Sequence, residues 1–181
     1  MRTYRPPLCA ATAALVVAAS IPAAKAGSTP ASEQASVVTA TLESQLLSAI
    51  NQCRTSRGQR PFRFSTQLHA AALHHSREMA SNGYFEHASP NGTAFWRRIS
   101  WYYRIRGYQS WSVGENIEYG QPGLGAAEVL RDWLASPAHR ANVVSTQWRD
   151  AAVGATFVAS APGVFDGLPT TVVTLDLGRR R

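Results

Sequence analysis

Three side chains in this sequence are well suited to chemistry: His87, Glu115 and His139. His87 lies in Gly83-Tyr84-Phe85-Glu86-His87-Ala88-Ser89-Pro90-Asn91-Gly92, which closes a helix and ends in a turn that Pro90 and Gly92 make rigid. Glu115 follows Gly114, whose missing side chain lets the backbone approach a neighbour closely. His139 follows Ser136-Pro137, which reads as the cap and first residue of a short helix. That puts His139 in a first helical turn, where the positive end of the dipole disfavours a protonated ring. A neutral imidazole is what metal binding or base chemistry needs. Two imidazoles and a carboxylate could hold a divalent metal, with waters in the open positions. They could equally polarise a water with no metal present. None of the three lies at a close helical interval from another, so spacing by itself favours a buried polar network that braces loops.

The elements that must position these groups follow from punctuation and periodicity. Residues 1–26 read as a secretory signal peptide: Arg2 and Arg5, an apolar run from Leu8 to Ala23, and Ala24-Lys25-Ala26 as the cleavage site. The apolar run is short for a membrane span, and no later run approaches that length, so no transmembrane anchor is expected. Residues 27–40 read as a flexible leader, residues 41–178 as the folded domain and residues 179–181 as a basic tail. A first helix is predicted over Thr41–Arg57, with Leu42, Leu46, Ile50 and Cys53 on one face. A second runs from about Thr66 to Ser81, capped by Ser65 or Thr66, and puts His75 on the stripe of Leu68, Ala72 and Met79. Thr93–Ile105 and Gly125–Ala135 complete the longer helices, and Pro61–Phe64 suggests a short strand. Val113–Tyr119, Ala151–Ala159 and Thr170–Leu177 read as strands. Helices early and strands late imply an α+β domain, with helices covering an antiparallel sheet.

Composition narrows the function classes. The proposed signal holds three of the 18 basic side chains and none of the 11 acidic ones, which leaves 15 arginines and a mature net charge of about +4. A base-composition bias accounts for the arginines, because along the chain they are dispersed except at Arg179-Arg180-Arg181. Phe95 to Tyr103 interleaves aromatics with arginine, a pattern able to stack nucleobases. Phe95, Ile99 and Tyr102 also form an ordinary buried stripe, which leaves the arginines as the wet face. No nucleic-acid module accompanies them, so no nucleic-acid partner is expected. One cysteine, Cys53, remains beyond the signal, so an internal disulfide is excluded and a buried, inert thiol is the expectation.

Several segments, taken together, resemble the CAP superfamily of cysteine-rich secretory, antigen 5 and pathogenesis-related 1 proteins (SCP-like domains), in its short bacterial branch. They are His75-Ser76-Arg77-Glu78-Met79-Ala80, Tyr84 to Pro90, Gly107-Tyr108 and Gly114-Glu115-Asn116-Ile117. Trp133 with Ser136 to Asn142, Ala152-Val153-Gly154 and Thr174 to Gly178 complete the set. The resemblance spans roughly Leu42 to Gly178. It implies a three-layer α-β-α sandwich with a central antiparallel sheet and a cleft. Many members carry two histidines and two acids in that cleft, and some bind zinc there. Carried over, these are His87, His139 and Glu115, with Ser136 standing where a second acid often lies. His75 matches a position common in the bacterial branch and is expected to face the same cleft.

Two functions follow as expectations. The first is a secreted or periplasmic, monomeric and non-enzymatic binding module. It would hold a small apolar ligand, such as a sterol or fatty acid, or a cell-envelope component, at a cleft of His75, His87, Glu115 and His139. The second is a metal-assisted, peptidase-like hydrolase, with Glu115 as the catalytic base and a divalent metal such as zinc on His87 and His139.

Overall fold

The structure, a computed structural model, describes residues 31–181. The proposed signal peptide and the first residues of the proposed leader lie outside the described residues. The chain order is α1 (Ala31–Thr55), β1 (Arg63–Phe64), α2 (Thr66–Asn82), α3 (Phe95–Tyr102), β2 (Trp111–Gly120), α4 (Ala126–Ala135), α5 (Pro137–Val144), β3 (Asp150–Val158) and β4 (Thr170–Arg180).

The four strands form one sheet in the order β1-β3-β4-β2. β3 and β2 both pair antiparallel with β4, and the two-residue β1 pairs parallel with β3. Alternation along the strands builds two cores. Ala151, Val153 and Ala155 of β3 and Val173, Leu175 and Leu177 of β4 pack with Leu46 and Ile50 of α1, Trp133 of α4 and Val143 of α5. The opposite face meets α2 and α3: Ala152 packs with Leu68, Ala71, Ile99 and Tyr103, and Val172 with Met79 and Ala80. The result is the expected α-β-α sandwich. α2 lies so close to β3 that a Cβ on Gly154 would stand 2.2 Å from the Leu73 backbone nitrogen. Ser76 fastens this contact, donating to the Gly154 carbonyl at 2.8 Å.

Local chemistry explains the element ends. Ser65 Oγ accepts from the Leu68 amide to start α2, and Gly83 ends it in the left-handed region at φ 71°. Several boundaries differ from expectation, two of them by changing what a segment is. α1 begins at Ala31, so residues 31–40 of the proposed leader are helical. They contain no Gly or Pro, and Thr39 and Thr41 bond back to the carbonyls of Ala35 and Val37. Apolar periodicity is missing there because the first turns overhang the core, with Val37 and Val38 exposed. The proposed basic tail is also structured. β4 runs to Arg180, paired with Trp111, and Arg180 stacks over the Tyr103 ring at 3.9 Å.

Candidate functional site

β2 is an edge strand, and its two sides meet different helical layers. Glu115 and Ile117 point toward α2 and α3, whereas Asn116 points toward α5. The outward carbonyls of this edge are capped by side chains from the other layer. Asn142 donates to the Glu115 carbonyl at 3.1 Å, and Trp133 Nε1 to that of Ile117 at 3.3 Å. Gly114 permits the approach: a Cβ there would lie 2.8 Å from the Trp148 ring.

Glu115 is the hub, with its side chain 1% exposed. Its Oε1 accepts from His87 Nδ1 at 2.8 Å, and the same oxygen lies 3.9 Å from Nε2 of the fully buried His75. Its Oε2 accepts from Arg98, whose side chain is also fully buried. Arg98 continues to the His87 carbonyl at 3.0 Å and so ties the loop backbone and the carboxylate to one guanidinium. The interleaved arginines of α3 therefore do not all lie on its wet face: Arg98 points inward because Glu115 provides a charge to meet it.

A second carboxylate hub fixes the same loop. Glu78 Oε2 accepts from Tyr84 Oη and Ser89 Oγ, each at 2.7 Å, and His75 Nδ1 lies 3.4 Å away. Burial works to raise the Glu78 carboxyl, but the hydrogen bonds from Ser89 and Tyr84 outweigh it and hold the group below the usual range. The same bond to Glu78, added to burial, pushes the Tyr84 hydroxyl well up. His75 donates from Nε2 to the Glu86 carbonyl at 3.0 Å. Burial holds its imidazole below the usual histidine value, against the raising pull of Glu115.

The structure brings His75, His87 and Glu115 into one hydrogen-bonded neighbourhood. His87 is its outlet to solvent, with a side chain 48% exposed and a ring 6.2 Å from that of Phe95. His139 approaches from the other layer, in the first turn of α5. Its ring is half-buried and makes no hydrogen bond to the described residues, while its carbonyl accepts from Asn116 at 3.0 Å. Burial and the neighbouring His87 hold its imidazole below the usual range. No hydrogen bond or ion pair joins His139 to Glu115.

Sequence reasoning missed Asp176 as a site residue. It pairs with Glu115 across β2 and β4, is completely buried, and neither carboxyl oxygen has a hydrogen-bond partner. Burial, then the Glu115 charge, push its carboxyl well up and favour the protonated form. A lone Asp inside the apolar run Val172 to Leu177 was the available signal. Arg98 had no comparable signal, because nothing in its local sequence separates it from Arg97. Cys53 is half-buried against the α1 core, with Arg57 Nη1 2.8 Å from its sulfur.

Comparison with known proteins agrees with this fold. The profile of the cysteine-rich secretory protein family matches residues 47–165. The uncharacterised protein YkwD of Bacillus subtilis is 29% identical over 113 residues, which cover 62% of this chain and 41% of that protein. The chain thus spans less than half the length of this curated relative. Among solved structures, an extracellular protein containing an SCP domain from Bacillus anthracis superposes with a TM-score of 0.63 at 24% identity, over 83% of this chain and 44% of that one. An outer surface protein of Borrelia burgdorferi superposes with a TM-score of 0.56 at 22% identity, over 75% and 90% of the two chains. At these identities the structural likeness speaks for the fold, and the family match covers well over half of the sequence. The chain belongs to the cysteine-rich secretory protein (CAP) family.

Proposed function

We propose that this protein is an extracellular binding module whose ligand meets His87 and His139 at the β2 edge, with Glu115 behind them. One observation carries the reading: a buried carboxylate holds one nitrogen of a half-exposed imidazole. Because Glu115 accepts from Nδ1–H of His87, Nε2 is the nitrogen turned to the ligand, in a fixed orientation. Phe95 beside it offers apolar surface. That pairing of a polar head contact with an aromatic wall suits a sterol, a fatty acid or an amphiphilic envelope component. Export fits the extracellular and outer-surface descriptions of the two structural relatives. Among the described residues, no helix is long and apolar enough to cross a membrane.

Binding is favoured over hydrolysis by how the acids and hydroxyls are used. Both oxygens of Glu115 are engaged, by His87 and by Arg98, and its side chain is 1% exposed, a poor position for taking a proton from water. Ser76 and Ser89 are buried and spend their hydroxyls on Gly154 and Glu78. The test is equilibrium binding of a long-chain fatty acid and of a sterol to the full chain. Saturable uptake that weakens about ten-fold or more in the His87→Ala, His139→Ala double variant is expected. No saturable uptake, or equal uptake by the folded double variant, overturns the reading.

A second reading is a divalent ion such as zinc on Nε2 of His87 and the ring of His139. The donor set suits it in part: His87 has the carboxylate behind it that metal-bound histidines use, and the His139 ring has no protein partner among the described residues. No group of three or more His, Cys, Asp or Glu side chains there is arranged to hold a metal, so water would supply the rest of the coordination shell. Such an ion would act as a Lewis acid on whatever oxygen replaced a water. Calorimetric titration of zinc into the wild type and His139→Ala decides it. Binding confined to the wild type is expected, and absence of binding in both rejects the ion.

A further inference from the structure

Tertiary structure gathers arginines that the sequence scatters. A hollow of about 570 Å³ lies beside the C-terminal end of β4, between the end of α1, β1 and the start of β3. Seven arginines line it, with no acidic side chain among the lining residues. Two of the seven are already used. Arg54 is buried and donates to the carbonyls of Arg60, Val143 and Ser145, and Arg63 pairs with Asp150 at 2.8 Å. The others form no ion pair with any described acid. Arg149, Arg179 and Arg180 donate to main-chain carbonyls, those of Pro61, Gln147 and Arg104. A carbonyl orients a guanidinium without cancelling its charge. Stacking of Arg180 over Tyr103 and Tyr108 fixes it further.

A second observation points the same way. Two lining residues carry buried donors with no partner, Trp148 Nε1 and Arg180 Nε. Buried donors left unpaired are costly, and an acceptor-rich ligand is what would satisfy them. Guanidinium forks match phosphate oxygens in pairs, and several uncompensated charges around one hollow call for several negative charges close together. We infer that this hollow is a binding site for a ligand presenting several phosphate groups close together, distinct from the histidine pair beside β2. The shared chemistry is the phosphate oxygen, whether on a soluble polyphosphate or on a phospholipid headgroup.

The test uses the full chain in phosphate-free buffer at low salt. Tripolyphosphate is titrated by calorimetry, and retention is measured on phosphatidylcholine vesicles with and without phosphatidylglycerol. Two variants with equal loss of charge are compared with the wild type. One is Arg60→Gln, Arg149→Gln, Arg179→Gln, and the other is Arg77→Gln, Arg97→Gln, Arg131→Gln, away from the hollow. Saturable tripolyphosphate binding that weakens about ten-fold or more only in the first variant is expected. It should persist in the His87→Ala, His139→Ala variant and fall as salt is raised. Retention on the phosphatidylglycerol vesicles alone, lost in the first variant, assigns the headgroup as the source and also supports the site. Arg60→Gln by itself guards against misfolding, since that exposed side chain has no hydrogen bond or ion pair to lose. Absence of binding to both probes, or equal weakening in the two triple variants, overturns the inference.

Discussion

Glu115 and Asp176 stand opposite one another on adjacent antiparallel strands, both buried, and only Glu115 is matched by a cation, Arg98. Two carboxyls this close cannot both ionise cheaply in a dry interior, so the pair divides its roles. Glu115 carries the charge that orients His87, and Asp176 stays protonated behind it.

Asp176→Asn tests that division. A carboxyl raised above its ordinary value contributes stability that is complete below that ordinary value and is lost as pH rises through the raised one. The amide has the shape of the protonated acid and does not titrate. The stability of Asp176→Asn relative to the wild type should therefore increase from pH 4 to pH 8, in thermal melts run in matched buffers. A variant that is equally destabilised across that range would show that the carboxyl itself is needed.

Arg98→Met should be costly. It leaves the Glu115 charge buried with its main partner gone, and breaking a buried pair from one side costs about 3–5 kcal/mol. Adding Glu115→Leu should recover much of that loss, because the stranded charge is then removed too. Urea unfolding of the two single variants and the double one closes the cycle. Losses that simply add would mean that the two side chains are not coupled.

His75 gives the stability profile an acid-side slope. Its imidazole is held below the ordinary value of 6.5, so its contribution is present above that pH and is lost as pH falls toward the lowered value. His75→Gln keeps an amide donor for the Glu86 carbonyl and removes the titration. The variant should be less stable than the wild type at pH 8, by about 1 kcal/mol, with the gap narrowing as pH falls below 6.5. A gap that stays constant would remove His75 as the source of the slope.

Gly154→Ala probes the closeness of α2 to the sheet. The added Cβ would stand 2.2 Å from the Leu73 nitrogen and 2.6 Å from the Ala72 carbonyl carbon, both backbone atoms that cannot swing aside. A loss of about 2 kcal/mol or more is expected by chemical denaturation. Because α2 carries His75 and Glu78, the ligand binding proposed for His87 and His139 should weaken in step. A fully stable variant would mean that α2 can lift off β3 freely.

Much of the fold was legible because local signals and burial agree. Ser65 and Gly83 mark the ends of α2, the apolar face of α1 from Leu42 to Ile50 is one of its buried sides, and β-rich runs at the end of the chain form the sheet centre. Signals failed where burial stops or where charge is buried. Residues 31–40 are helical without an apolar stripe, and Arg98 and Asp176 turn inward against their residue types.

By itself the sequence determined the order of helices and strands, the family, and the choice of His87, Glu115 and His139 as side chains of interest. Propensity, capping and apolar period are written into neighbouring residues and need no distant partner. Only tertiary structure decided that Glu115 would meet Arg98 and Asp176, that His139 would come to the β2 edge from the opposite layer, and that scattered arginines would line one hollow. Those relationships depend on strand register and layer packing, which bring together groups that no local spacing relates.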